Sequence, residues 1–451
     1  MKPPTPRRRM KQCFVRLLLA VAIVAMAVPQ AGAQQAPRRL GLAEALEIAL
    51  RENYGLQIAT RQVDIARRSN HPSLAGRYPT LDLLLSDNNR LQQIDNPASF
   101  INGTFQNIGL NGQVQLNWVL FDGWRVSLTQ ERLQQLQFLA EGSEQVAIQN
   151  TVQAVILTYY TAQFERQRLL TLEEAVRVSE QRLRTEDDRR SLGAGTGFDL
   201  EQARANYYND RRNAQIQQQN HRQAVLALHE LLNLDATQLV ELTDPLPDPP
   251  APPPHPPQAQ RERLRTRNPH RRNEYINYEI LKRDYDLARA VRLPSVNLNA
   301  GTGYTLSRIK INDFEPRTGT TIDYFANFTL SWRLFQGGAI RRQIENSAVQ
   351  QEIGRLSIDR ARQGLEVRLE TAWQDYLTRF EAWKLSQQAL AAQRRVLETA
   401  AERLRVGTIT TLDFRNFQLQ AIQAEFALIE AQHRLALADV ELLRLTGGIV
   451  R

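Results

Sequence analysis

The sequence predicts a mainly α-helical fold with a membrane β-barrel portion, built from duplicated halves joined end to end. Three observations carry this prediction. A short phrase occurs twice, Leu-Asn-Trp-Val-Leu-Phe-Asp-Gly at 116–123 and Leu-Ser-Trp-Arg-Leu-Phe-Gln-Gly at 330–337, 214 positions apart. Each copy is preceded by apolar/polar alternation and followed by a long run of helical pattern. After the leader, no apolar run reaches the ~18 residues of a membrane-spanning helix, so an exported chain that enters a membrane enters it as strands.

Residues 1–33 read as a secretory signal peptide. Lys2, Arg7, Arg8, Arg9, Lys11 and Arg16 precede an apolar core from Leu17 to Val28, and Ala31-Gly32-Ala33 supplies the cleavage site. The leader holds six basic and no acidic residues, so a formal charge of +9 falls to +3 in the mature chain. That balance gives no support to a nucleic-acid partner. The single cysteine, Cys13, is also in the leader. The mature chain therefore excludes disulfides, Cys-ligated zinc and a thiol nucleophile.

The first repeat is expected over 34–243. Leu42, Ala45, Leu46, Ile48 and Ala49 give helical spacing over 42–70, which His71-Pro72 disturbs. Tyr78-Pro79 opens a strand over 79–88, with Leu81, Leu83 and Leu85 on one face. The Asn-, Asp- and Gly-rich stretch 87–111 reads as a solvated loop. A strand over 112–121 closes the hairpin, with Val114, Leu116, Trp118 and Leu120 on one face and Gln113, Gln115 and Asn117 on the other. Asp122-Gly123 breaks the strand, and Asp122 is placed to cap the next helix. From Val126 to Arg190 there is no proline and one glycine, Gly142. A helix of that length extends roughly 95–100 Å. Ile148, Val152, Val155, Tyr159 and Ala162 keep a heptad spacing that Leu169, Val176 and Leu183 continue, so a packed seam is expected along it. Arg166, Glu173 and Glu180 share that register, so the seam is not uniformly dry. Gly193-Ala194-Gly195-Thr196-Gly197 turns the chain into a second helix from Asp199 to Leu232.

A Pro-rich linker, 244–258, leads to the second repeat, 259–451. The plan recurs: a helix over 259–291, a strand opened by Leu293-Pro294 with Val296, Leu298 and Ala300 on one face, and a polar loop over 306–320. A strand over 322–335 follows, with Phe328, Leu330 and Trp332 on one face. A helix over 339–405 carries Leu369, Trp373, Tyr376, Phe380 and Trp383 in heptad phase. Gly407-Thr408 turns the chain into a last helix, Leu412 to Leu445. Gly193 and Gly407, like Asp199 and Asp413, lie 214 positions apart, the signature of internal duplication.

Each chain thus offers four strands that are wet on one face. Lipid accepts strands only in a closed barrel, and such barrels start at about eight strands. Four strands cannot close alone, so copies must combine, two giving eight and three giving twelve. The helices are too polar and too long for the same membrane and must project into the periplasm. Trp118, Trp332, Tyr78 and Tyr324 suit an aromatic girdle at the strand ends. A soluble helical bundle with a small capping sheet, such as a periplasmic adaptor or scaffold, accounts for the helices. It accounts less well for two hairpins with greasy and hydrophilic faces.

A leader, duplicated halves, hairpins ending in Leu-Phe-x-Gly, very long helices and the Val406-Gly407-Thr408 turn together resemble the TolC-like outer membrane efflux proteins. The likeness spans essentially the whole mature chain. It implies a homotrimer in the outer membrane, with one shared twelve-stranded β-barrel and a periplasmic α-barrel of long coiled-coil helices. It implies the exit duct of a tripartite pump or type I secretion system, with a periplasmic adaptor and an inner-membrane transporter as partners. It places a gate at the helix tips, where the family's best-known member carries two aspartates three apart. Asp413 matches the first and Asn416 replaces the second. Leu404 and Ile409 stand where that member has a tyrosine and an arginine that tie the closed state. Asp413, Asn416 and Asp199 are therefore the aperture candidates, and Gly193, Gly407 and Thr408 the tip turns. A ring of Asp413 carboxylates would attract cations, and mutual repulsion would raise their pKa. The alternative for Asp413 and Asp199 is an ordinary helix N-cap.

Other motifs carry no chemistry. Gly193-x-Gly195-x-Gly197 follows a helix, not a strand, and reads as a turn rather than a phosphate loop. The histidines show no metal-binding pair, and no serine sits in a nucleophile elbow. No cofactor, metal or catalytic residue is expected, and the chain does not read as an enzyme. The Arg-rich stretch from Arg261 to Arg272 reads as a solvated helix start.

Overall fold

The computed structural model describes residues 38–96, 98, 103–248 and 258–449. The expected signal peptide, and the linker from 249 to 257, lie outside the described residues. The first repeat runs β1 (Arg38–Leu40), α1 (Leu42–Glu52), α2 (Tyr54–Ser69), β2 (Thr80–Ile94), β3 (Gly103–Phe121), α3 (Arg125–Ser191), α4 (Gly197–Leu232) and β4 (Val240–Leu242). The second runs α5 (Gln258–Arg267), α6 (Pro269–Ala290), β5 (Ser295–Ile311), β6 (Arg317–Ser331), α7 (Ala339–Arg405) and α8 (Thr411–Leu445). Both long helices, α3 and α7, have 67 residues, or about 100 Å each.

Several expectations need correction. The helices over 42–70 and 259–291 are each broken once, at Asn53 and Asn268. Each asparagine side chain accepts a hydrogen bond from the backbone three residues on, so each restarts the helix as an N-cap. The solvated loops expected over 87–111 and 306–320 are mostly strand. Asparagine and aspartate disfavour strands in isolation, but ladder pairing with a neighbour overrides that weak preference. The expected strand 322–335 instead ends at Ser331 and starts at Arg317, so Tyr324 sits at its middle and not near its end. The parallel pair β1–β4 gave no signal in the sequence: it joins Leu40 to Leu242, and three-residue strands carry too little pattern.

The four long strands form one sheet in the order β2-β3-β5-β6, all antiparallel. The hairpins of the two repeats meet through β3 and β5, and β2 and β6 are left as edges. The helices follow the same order: α2 packs on α3, α3 on α6, and α6 on α7. Two returning helices, α4 and α8, pack on α3 and α7.

Two apolar clusters hold the helices, and they are copies of each other. The first contains Val155, Tyr159, Ala162, Leu228 and Leu232, and the second Leu369, Trp373, Tyr376 and Leu442. Tyr159 and Trp373 occupy equivalent heptad positions, both nearly fully buried. What covers each cluster differs. In the first, Leu40 and Leu242 from the β1–β4 pair close it; in the second, Leu264 of α5 does.

Tyr159 ties that cover down. Its hydroxyl donates to the Leu40 carbonyl at 3.0 Å and accepts from the Asp244 amide at 3.0 Å. Arg166 donates to the Leu242 carbonyl at 2.7 Å, so this polar residue in the seam serves the β4 strand. Asp244 completes the clasp by accepting from the Leu42 amide at 2.7 Å. Tyr159→Phe leaves the Asp244 amide without its acceptor, at a cost of about 1–3 kcal/mol, while the Leu40 carbonyl keeps the Thr243 amide at 3.1 Å. The expected result is a lower thermal midpoint and faster proteolysis around 38–42 and 240–244, with helix content unchanged. An unaltered midpoint would contradict the clasp.

Candidate functional site

Two places carry candidate residues, the sheet and the helix tips. In the sheet, strand register puts the apolar side chains on one face. Leu116 stands opposite Leu81 and Ala300, Trp118 opposite Leu298, Leu298 opposite Phe328, and Val296 opposite Leu330. Val114 is on this face, opposite Leu83. Trp332 lies one residue beyond the end of β6 and is 60% exposed. Trp118 and Trp332 each donate an indole N–H at 3.1 Å to a backbone carbonyl, that of Arg77 and of Arg292. The same anchor thus recurs at the foot of both hairpins.

The opposite face is hydrophilic and internally bonded. Gln113 donates to Gln115, Gln115 to Asn117 at 2.8 Å, and Asn299 to Asn117 at 2.6 Å, with Asn117 donating on to Asp82. These amides satisfy one another across strands, as a water-lined wall requires. Along β5 the apolar face runs from Val296 to Leu306 and gives way to Arg308 and Lys310. That stretch spans about 34 Å along the strand, or about 26 Å at a typical barrel tilt of about 40°. The lipid-exposed band of such barrels is about 25 Å tall.

At the tips, both turns have one geometry. Gly193 and Gly407 take φ of 72° and 77°, the left-handed region glycine enters without a Cβ penalty. Gly193 donates to the Arg190 carbonyl and Ala194 to that of Arg189; Gly407 donates to Leu404 and Thr408 to Arg403. These paired bonds close the ends of α3 and α7.

Asp199 and Asp413 are not N-caps. The caps are Thr196 and Thr410, and each aspartate is the third helical residue, bonded back to the threonine. Thr410 donates its hydroxyl to Asp413 at 2.6 Å and its amide at 3.0 Å, and accepts from the Asp413 amide at 3.1 Å. These bonds from Thr410 hold the Asp413 carboxyl below the usual aspartate range. Within one chain the shift is therefore opposite to the one expected from a ring. Asp413 and Asn416 are both exposed and three apart on α8, so they share a face. Asp199 instead lines a cavity of about 320 Å³ between the two helical hairpins, together with Arg182, Glu186, Leu404, Leu412 and Arg415. Asp122 does accept from the Val126 amide at 3.3 Å, at the start of α3.

Sequence reasoning missed the residues that join the two tips. Asp210 of α4 and Arg415 of α8 form an ion pair at 2.5 Å, with side chains 6% and 13% exposed. The two returning helices share little other packing. Duplication hides the pair, because Arg415 matches Glu201 and Asp210 matches Ala424 in the other repeat. Only two unlike positions brought together across the repeats reveal it. Removing one partner of a buried pair costs about 3–5 kcal/mol, since the other charge stays buried alone. Asp210→Ala should loosen the tips and raise the open-channel fraction in planar bilayers, with the sheet unchanged. A double change, Asp210→Ala with Arg415→Met, should recover much of the stability, because no charge is left buried alone, while keeping the leak of the single change; wild-type leak in both variants would dismiss the pair as a tether.

The outer membrane efflux protein family model matches this chain at residues 45–234 and 262–448. The outer membrane efflux protein BepC of Brucella suis is 23% identical over 396 residues, covering 87% of this chain and 80% of its own. The toluene efflux pump outer membrane protein TtgC of Pseudomonas putida is 24% identical over 328 residues, covering 68% of this chain and 62% of its own. Among solved structures, the Campylobacter jejuni CmeC outer membrane channel superposes with a TM-score of 0.73 at 17% identity, over 90% of this chain and 85% of that one. The match extends through both repeats, from the first buried helix to the close of the last, and the chain belongs to the outer membrane efflux protein family.

Proposed function

We propose that three copies of this chain form the exit duct of an export system, passively conducting cargo from the periplasmic side through the outer membrane. The observation that carries the reading is the sheet: four strands, one apolar face, one amide-lined face and two free edges, continuous with polar helices of about 100 Å. Three copies supply twelve strands and close a barrel wide enough for a water-filled lumen. Val114, Leu116, Trp118, Phe328, Leu330 and Trp332 then face lipid. The helices continue the wall into the periplasm, where an adaptor protein and an inner-membrane transporter engage it and supply the energy. No chemistry is performed on the cargo. A relative named for toluene efflux favours small organic cargo over protein.

Asp413, exposed at the tip, is proposed to ring the periplasmic aperture with its two copies and to bind cations there. Thr410 keeps it ionised below the usual aspartate range, so cation binding persists into mild acid and is lost as pH falls through the depressed pKa.

The function is tested by purifying the protein in detergent and recording conductance in planar bilayers, alongside heat-modifiable oligomers on gels. Channels and oligomers are expected; a soluble monomer without conductance would reject the duct. Trp118→Asp places a charge at the lipid face and should abolish outer-membrane assembly, while normal assembly would reject the face assignment. At the aperture, Thr410→Val should move the acid limb of cation block to higher pH, and Asp413→Ala should remove the block. An unchanged pH profile in both would leave Asp413 with a capping role alone.

A further inference from the structure

On the apolar face of the sheet, positive charge enters at the turn end of one hairpin. Around β5 that face ends in Tyr304, Leu306, Ile108 and Ile322, all exposed. Two residues past Leu306 on β5 comes Arg308, and two further comes Lys310. Both are exposed and, by the period of two, lie on the same side as Leu306. Neither makes an ion pair or a side-chain hydrogen bond among the described residues.

The strands beside them leave the two charges unopposed. Arg308 stands opposite Ile108 on β3 and Thr318 on β6, and Lys310 stands opposite Gln106 on β3. The carboxylate that the strands place on this face, Asp87 of β2, is two strands away: it is opposite Leu110, which is opposite Leu306. Asp95, Asp313 and Glu315 belong to the turns beyond the strand ends and form no ion pair with either cation. Depth is set by strand geometry. A strand advances about 3.4 Å per residue, or about 2.6 Å along the membrane normal at a tilt of about 40°. Arg308 therefore stands about 5 Å outside the apolar band and Lys310 about 10 Å. The polar layer of a bilayer extends roughly 5–8 Å outside the hydrocarbon on each side. Arg308 is thus at headgroup depth, and the flexible stem of Lys310 lets its ammonium reach the same layer.

Duplication did not produce this pair. Pro79 and Pro294 precede equivalent strands, and Arg77 and Arg292 accept equivalent tryptophan N–H bonds, which sets an offset of 215 between β2 and β5. On that offset, Gln93 and Asp95 stand where the second repeat has Arg308 and Lys310. The rim nearer the helices is basic in both repeats, through Arg77 and Arg292, whereas the rim at the turns is basic on this face in one. The long helices leave the sheet at the first rim, so the second faces the exterior.

We infer that Arg308 and Lys310 hold a phosphate of a phosphorylated glycolipid in the outer leaflet, whose acyl chains lie on Tyr304, Leu306 and Ile322 below. This inference rests on the duct reading above and adds a lipid site to it. The two Cα atoms are about 7 Å apart along the strand, a span that two long side chains close around one phosphate. The guanidinium takes phosphate oxygens with paired N–H donors, and the ammonium acts as a point charge. The Thr318 hydroxyl and the Gln106 amide add neutral donors on the neighbouring strands. A phosphate monoester carries close to two negative charges at neutral pH, so it suits two unpaired cations better than the single charge of a phospholipid diester. Each copy brings one such site, and a ring of three copies brings three.

The test titrates the purified oligomer in detergent with lipid A carrying both phosphates, followed by native mass spectrometry. Arg308→Gln with Lys310→Gln should weaken binding about 30-fold, from a factor of about five for each charge lost near the surface. Arg308→Lys, which keeps the charge, should retain most of the affinity. Phosphatidylglycerol should bind more weakly than lipid A and lose less in the double variant. The double variant should still give heat-modifiable oligomers and conductance, which separates lost binding from lost folding. Equal lipid A affinity in wild type and double variant would overturn the site, as would an equal loss from Arg77→Gln with Arg292→Gln at the other rim. If the double variant fails to assemble, lipid A stripped of its phosphates decides on the wild type: equal affinity with and without phosphate overturns the site, and lost affinity supports it. Phosphatidylglycerol bound as tightly as lipid A would overturn the choice of lipid. A wild type without oligomers or conductance would overturn the duct reading and this inference with it.

Discussion

A backbone amide in hydrocarbon has no water to bond, so every strand in a membrane needs a strand on each side. The long sheet of this chain has four strands and makes the three contacts between them, leaving β2 and β6 each half-bonded. The rest of the molecule can be understood from that deficit. Twofold duplication places a donor edge at one end of the sheet and a matching edge at the other. The helices keep the same order as the strands they extend, so a seam begun in the sheet continues along α2, α3, α6 and α7.

Duplication gives the two halves the same frame, and the departures from it locate the specialised parts. The apolar clusters around Tyr159 and Trp373 correspond position by position. Their covers do not: a strand pair clasped by Tyr159, Arg166 and Asp244 closes one, and a short helix carrying Leu264 closes the other. At the tips both turns are equivalent, but Asp199 lines the cavity between the hairpins while Asp413 is exposed. The buried Asp210–Arg415 pair also exists only because the repeats differ at those positions. It is the direct polar link between two helices that otherwise touch little. A link of that kind is strong when intact and costly when half removed, which suits a joint that must hold one arrangement until something displaces it.

Much of this was legible in the residues. The ends of α3, α7 and α4 fall within two residues of the positions expected from proline, glycine and heptad spacing. The apolar face of the hairpins follows from alternation alone. The polar halves of the strands were hidden, because Asp87, Asn88, Asn89 and Asn107 look like loop residues until a neighbour's ladder is supplied. The helix breaks at Asn53 and Asn268 were hidden for a related reason. An N-cap within a helical pattern is ambiguous until the turn before it is seen.

The sequence by itself determined the period and the order of the elements: which stretches are helix, which side of a strand is greasy, and that the plan occurs twice. Those properties are local, set by side-chain spacing of two or about 3.6 and by where proline and glycine interrupt it. The tertiary structure alone decided where strands end, which loops are strands, and which distant charges meet. Each of those depends on what stands beside a residue in space. Leu40 and Leu242, or Asp210 and Arg415, lie some two hundred positions apart, and no periodicity in one segment registers the presence of the other.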